Sequence, residues 1–278
     1  MKFTLTAAVA GALAIAATTA SAGVVISQEV VNTSQAGKRS AMQTVMVQGR
    51  KQKLVQSNRE TIIDLDAGVI YTLSPAIKHF VKTPLPPQGM MAAVMAREGV
   101  GVGYEKAAGT HKEGGYACQD YAGTGAAMDA KLDVTLCAAS EAPGAKEYVD
   151  FQNALSDKLK GSKLERKGEV PDGIPVKSTT VFTQVPRPLP PKFDPKVAAQ
   201  YEAHIAAANR NPPTTVTTVT KIEVKDLPAD TFVVPKEFTE QHLQPAITMM
   251  PGGMLKRPIM PPSAPAGAAP ASGAPAPM

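Results

Sequence analysis

The stretch from Glu60 to Lys82, ETIIDLDAGVIYTLSPAIKHFVK, most constrains what this chain can fold into. It reads as three consecutive β-strands, at 60–65, 69–73 and 77–82, broken at Asp66-Ala67-Gly68 and Ser74-Pro75-Ala76. Asp, Gly, Ser and Pro supply the backbone angles and local hydrogen bonds that tight turns need. Thr61, Ile63 and Leu65 fall on one face, as do Val69, Tyr71 and Leu73, so each strand offers an apolar side to a common core.

Other segments extend this antiparallel meander. Residues 23–31 form a first strand, and 39–48 with 50–57 a hairpin about Gln48-Gly49. Residues 115–122 and 131–139 pair as a second hairpin, with Leu132, Val134 and Leu136 alternating against Lys131, Asp133 and Thr135. Strands at 176–184 and 214–225 follow. Between them the spacing predicts three helices. The first runs from Gly89 to about Arg97 with Met90, Met91, Val94 and Met95 on one side. The second covers 146–160 with a Tyr148, Phe151, Leu155, Leu159 stripe. The third opens at Asp194-Pro195, an N-cap followed by a proline at the first helical position. Its Val197, Tyr201, His204, Ile205 and Ala208 share a face, which makes His204 a packed, neutral histidine. With 44% hydrophobic residues and no Trp, the core rests on Val, Ile, Leu, Ala and Met.

The first 22 residues have the form of a secretory signal: Lys2, an apolar run from Leu5 to Ala17, and Ala20-Ser21-Ala22 as the cleavage site before Gly23. The run is too short to span about 30 Å of hydrocarbon comfortably, and the first cysteine is Cys118, far from any lipidation site. The expected location is the periplasm, with at most a peripheral association with membrane. In that oxidising setting Cys118 and Cys137, one on each strand of a hairpin, are expected to form a cross-strand disulfide. Closing a loop of roughly twenty residues stabilises by about 3 kcal/mol in the chain-entropy model. From 244 on, the chain is almost wholly Pro, Ala, Gly, Met and Ser, a composition expected to stay disordered. The organisation is therefore a leader at 1–22, a domain at 23–243 with a Pro-rich segment and helix inserted at 186–213, and a tail at 244–278.

The net charge of +5 is mild and lacks aromatic-basic interleaving, which argues against a nucleic-acid partner. Lys38, Arg39, Arg50, Lys51, Lys53 and Arg59 make one region basic, read as a solvated sheet face rather than an anion or lipid patch. No hydrolase elbow, zinc-protease motif or clustered ligand set is present, and His79, His111, His204 and His242 are scattered. Asp64 and Asp66 fit turn chemistry. Gly101-Val-Gly103 lacks the third glycine and preceding strand of a dinucleotide loop. No catalytic residue, metal site or cofactor is expected.

The order of these pieces, with Asp64-Leu-Asp-x-Gly-x-x-Tyr71, Gly173-x-Pro-Val176 and the closing Leu227-Pro-Ala-Asp-x-Phe-x-Val-Pro235, resembles an exported bacterial family, domain-of-unknown-function family 4412. More remotely it is similar to lipoprotein carriers of the LolA/LolB type. The resemblance implies a mainly β (α+β) fold: an antiparallel sheet curled into a half-barrel with helices on its concave face. The carriers' pocket arginine has no clear counterpart in these motifs. The function expected is non-catalytic binding of a lipid or other hydrophobe. The sheet face of Ile63, Leu65, Val69, Tyr71 and Leu73 would be capped by Met90, Met91, Val94 and Met95, through contacts that are apolar and unspecific. The alternative is a structural or regulatory protein that binds an envelope protein and no small ligand.

Overall fold

The computed structural model describes residues 22–127, 130–186 and 194–241. The leader, the Pro-rich piece at 187–193 and the tail from 242 on lie outside the described residues.

Among the described residues, twelve strands form one sheet that does not close on itself. In chain order they are β1 (Gly23–Ser34), β2 (Gly37–Gln48), β3 (Lys51–Val55), β4 (Glu60–Asp64), β5 (Val69–Ser74), β6 (His79–Pro84), β7 (Gly103–Glu113), β8 (Tyr116–Ala127), β9 (Ala130–Ala139), β10 (Ile174–Gln184), β11 (Thr214–Lys225) and β12 (Thr239–Glu240). Among the described residues three α-helices interrupt them: α1 (Gly89–Arg97), α2 (Ala145–Leu159) and α3 (Pro195–Arg210).

The sheet order is β12-β6-β5-β4-β3-β2-β1-β11-β10-β9-β8-β7, which resolves into two meanders. One wing runs outward from β1 to β6, the other from β11 back to β7. Antiparallel pairing of β1 with β11, from Gly23↔Lys225 to Thr33↔Thr214, joins them at the centre. Short turns account for the first wing: Gly49 and Gly68 have φ of +56° and +65°, which L side chains rarely adopt. The two-residue β12 adds the one parallel pairing among the described strands, Thr239↔His79 and Glu240↔Phe80.

Helices α1 and α2 occupy the concave side, and the result is a mainly β half-barrel. Phe151, Leu155 and Leu159 of α2 are buried with Val24, Ile26 and Val47 of the first wing and Ile174 and Val176 of the second. The 3.6-residue stripe thus becomes the seam between the wings. Helix α1 carries the chain from the end of one wing to the start of the other. Its buried Ala92 and Met95 join the same core, and Ala96 also touches the Val102, Leu132 and Val134 cluster of the second wing.

On the convex side, the closing segment lays Leu227, Phe232 and Val234 over Ile62 and Leu73, with Tyr71 and Phe80 edge-to-face at 6.0 Å between centroids. Helix α3 starts as its caps dictate, Asp194 Oδ1 accepting from the Lys196 amide at 2.8 Å. Its far end is held by Asn209, whose side chain accepts from the Gln184 amide and donates to the Gln184 carbonyl, both at 2.9 Å. Ile205 is its buried residue, while Val197 is 45% exposed. His204 is exposed, so it is a surface histidine and not the packed one expected from the stripe. The helix meets the sheet too narrowly to bury a full face.

Several strand bounds differ from those expected. The 23–31 strand continues to Ser34, the 77–82 strand is His79–Pro84 after a 3₁₀ turn at Pro75–Ile77, the 115–122 strand continues to Ala127, and the 39–48 strand begins at Gly37 and pairs with β1. Strand β7 matches none of the expected strands. Most of β7 is exposed and its residues do not alternate, so no periodicity marks it.

Candidate functional site

A cavity of about 630 Å³ opens on the concave face. That falls in the roughly 300–1,000 Å³ range of small-molecule sites. Its apolar floor comes from Ile26, Val45, Ile63 and Ile70, with Leu155 and Leu159 from α2, and Met91, Val94 and Met95 from α1 over it.

The candidate residues separate into four groups. Ile63, Met91, Val94 and Met95 line the cavity together. Leu65 is fully buried in the same core. Tyr71 and Leu73 lie in the convex cluster around Phe232, and Val69, two and four residues before them, shares their side of β5. Met90 is 79% exposed and points away from the core that Met95 enters. The reason for the split is that β4 and β5 are covered on both faces. Ile62 and Ile63 are both buried, as are Ile70 and Leu73, so an apolar residue there does not reveal its side.

The walls are more polar than the expected apolar sheet. Gln43 donates to Gln28 Oε1 at 2.8 Å, Gln56 donates to Gln43 Oε1 at 3.3 Å, and Arg59 donates to Gln56 Oε1 at 3.1 Å. Thr215 and Thr217 of β11 continue this band. Arg59 also pairs with Glu98 just past α1, tying that helix to the β3–β4 turn. Three more basic residues of this wing are paired, Arg50 with Asp66 at 2.6 Å, Lys51 with Asp64 at 3.1 Å and Lys53 with Glu60 at 2.8 Å, while Lys38 and Arg39 are exposed on β2.

At the other wing the cavity wall is built by close backbone approach. An added Cβ at Gly103 would lie 2.1 Å from the Lys167 carbonyl oxygen, and one at Gly168 would lie 2.7 Å from the Tyr104 amide nitrogen. The absence of side chains there lets 167–169 run beside the start of β7, where the Glu169 amide donates to the Tyr104 carbonyl at 2.9 Å. That pairing lays the Arg166 guanidinium over the Tyr104 ring, 5.8 Å from its centroid. Tyr104, Tyr148 and Arg166 all line the cavity. Burial pushes the Tyr148 phenol up to about 12, with neighbouring Tyr104 adding to the shift and Arg166 opposing it. Burial likewise raises Tyr104 and lowers Arg166. Sequence reasoning missed Arg166 because Lys163-Leu-Glu-Arg-Lys-Gly168 reads as a solvated charge run. The isolated glycines flanking Val102 were the available signal of close backbone contact.

Cys118 and Cys137 form a disulfide between β8 and β9, with Cα atoms 5.4 Å apart. Asp120 stands directly opposite Cys137, so the bond joins a diagonal pair on one side of the hairpin. His111 lies 3.6 Å from the Cys137 sulfur through Nε2 and 3.3 Å from Asp120 through Nδ1. With both thiols oxidised, this trio has no thiolate to offer a metal. No helix among the described residues is long and apolar enough to cross a membrane.

No family model and no curated protein matches the chain. Among solved structures, a putative outer membrane lipoprotein-sorting protein domain from Vibrio parahaemolyticus is similar over 76% of this chain and 89% of its own, at 8% identity and a TM-score of 0.33. A LolA superfamily protein from Nitrosomonas europaea is similar over the same shares at 7% identity and a TM-score of 0.29. A structure of PNGF-II is similar over 80% of this chain at 11% identity and a TM-score of 0.39, and the match spans 31% of that longer protein. At these scores the likenesses add nothing to the chemistry of the site.

Proposed function

We propose that this chain is a non-catalytic, exported binding protein that holds a lipid or another hydrophobic molecule in the concave cavity. The observation that carries the reading is the cavity itself: an apolar floor and a methionine-bearing helix above a space of about 630 Å³. Methionine is unbranched and polarizable, so Met91 and Met95 can repack against ligands of different shape. The glutamines of one wall hydrogen-bond to one another, which lowers the cost of placing an apolar neighbour there.

Export is supported by the leader-like first 22 residues and by the disulfide, a bond that persists in oxidising compartments. In this reading the mature chain starts at Gly23, the first residue of β1. Assignment to domain-of-unknown-function family 4412 rests on the motifs quoted above. An envelope protein as partner is the competing reading, in which the cavity stays empty.

The test uses the neutral apolar dye N-phenyl-1-naphthylamine with the purified mature protein. Saturable fluorescence enhancement, reversed by hexadecanol, is the expected result. No enhancement with the folded protein would favour the interaction-protein reading.

A further inference from the structure

Among the charged groups lining the cavity, Arg166 stands apart. Arg59 is paired with Glu98, and Arg97 is exposed. Arg166 has two guanidinium nitrogens, Nε and Nη1, shut away from solvent with no hydrogen-bond acceptor among the described residues. The groups that act on it electrostatically are the phenols of Tyr104 and Tyr148, not carboxylates. A guanidinium stays charged in proteins, and it offers donors in a planar fork that matches carboxylate and phosphate. Leaving such donors buried without partners costs stability unless another molecule supplies the acceptors.

The surroundings say what kind of molecule would do so. The ring of Tyr104 lies over Gly123, where an added Cβ would come within 2.6 Å of it, so the aromatic plane supports the guanidinium from below. The Tyr148 hydroxyl adds a second polar group of the same wall. Its raised pKa keeps it a neutral donor, able to face an anion without repulsion. Val134 and Leu136, in the clusters that Tyr104 packs against, with Val100 and Leu159, continue the lining as apolar surface. One charged corner on an otherwise apolar and hydrogen-bonded cavity is the complement of a molecule with one anionic end and a hydrocarbon remainder.

We propose that Arg166, backed by Tyr104 and beside Tyr148, anchors the anionic head group of an amphiphile whose acyl chain fills the cavity. This rests on the binding reading above and names its ligand class: a lipid with a carboxylate or phosphate head. It also supplies acceptors for Nε and Nη1, which have none among the described residues. The acceptor arrives with the ligand.

The experiment displaces the neutral dye from wild-type and Arg166→Gln protein with matched probes, hexadecanoate and hexadecanol. A charge-assisted hydrogen bond to a buried site corresponds to roughly 10- to 100-fold in affinity. Wild type should therefore prefer the acid over the alcohol by that factor, and Arg166→Gln should collapse the preference to near one, with Arg166→Lys in between. The ligand-free Arg166→Gln protein should melt no lower than wild type, because an unsatisfied buried charge has been removed. A merely structural stacking role for Arg166 predicts the opposite, a lower Tm.

Equal affinities for acid and alcohol in wild type overturn the anchor while leaving the hydrophobe reading standing. Failure of the dye and both probes overturns the two together. Inorganic phosphate at millimolar concentration should not compete with hexadecanoate. If phosphate alone displaces it, the site is one for a free anion and the amphiphile is excluded. Should Arg166→Gln fail to fold, the wild-type acid-to-alcohol ratio still decides.

Discussion

Asp64 shows how a residue that resembles catalytic equipment is explained by its turn. Its Oδ1 accepts from the amides of Asp66 at 3.0 Å and Ala67 at 2.9 Å, and its Oδ2 meets Lys51 at 3.1 Å. Burial alone would raise the carboxyl, but the Ala67 amide, Lys51 and the Asp66 amide together hold it below its ordinary value of 3.8. A carboxyl depressed in the folded state contributes stability that is full above the unfolded pKa, and this is lost as pH falls through the folded pKa. Thermal midpoints should therefore decline as pH drops below about 4, and Asp64→Asn should flatten part of that decline while lowering Tm at neutral pH. Equal acid sensitivity in the two proteins would assign the decline to other carboxylates. Asp66, paired with Arg50 on the surface, is expected to matter less, since exposed pairs contribute about 0–1 kcal/mol.

Helix α1 joins two roles that its sequence could not separate. Met95 is 5% exposed and belongs to the main core, whereas Met91 is only partly buried at the cavity. Met95→Ala should cost about 2–5 kcal/mol, as large-to-small core substitutions do. Met91→Ala should cost less and should change dye uptake instead, read by chemical denaturation and fluorescence on the same samples. Similar losses at both sites with unchanged uptake would make α1 ordinary core. The helix itself was legible in the sequence, as were α2, α3 and the turns of β2–β6, because caps, glycines and apolar spacing act locally. What was not legible depends on distant partners. Strand β7 has no alternation, and β12 exists only through its pairing with β6. The side taken by Tyr71 and Leu73 depends on Leu227 and Phe232, more than 150 residues later in the chain. Arg166 reaches the cavity only because 167–169 runs beside β7. The site was thus half visible: its methionine cover and Ile63 could be read, but its charged corner could not.

At the scale of the whole molecule, the first and last long strands meet in the middle of the sheet. Ile26 of β1 pairs with Val45 of β2 on one side and Ile222 of β11 on the other, and is 1% exposed beneath the buried face of α2. Neither wing is covered on this edge until β11 has been made, so the central pairing closes a loop nearly as long as the domain. Such non-local pairing makes folding slow, in the millisecond-to-second regime of β-rich topologies. The same arrangement couples the wings. Ile26→Ala removes packing that β2, β11 and α2 share, and should cost about 2–5 kcal/mol. If the wings form one cooperative unit, hydrogen exchange at Ile62 in the first and Leu132 in the second should report the same lowered opening free energy in this variant. Urea unfolding should then shift as a single transition with its slope unchanged. Two separated transitions, or loss of protection confined to one wing, would show that the half-barrel is a pair of independently stable sheets and that α2 and the β1–β11 seam merely dock them.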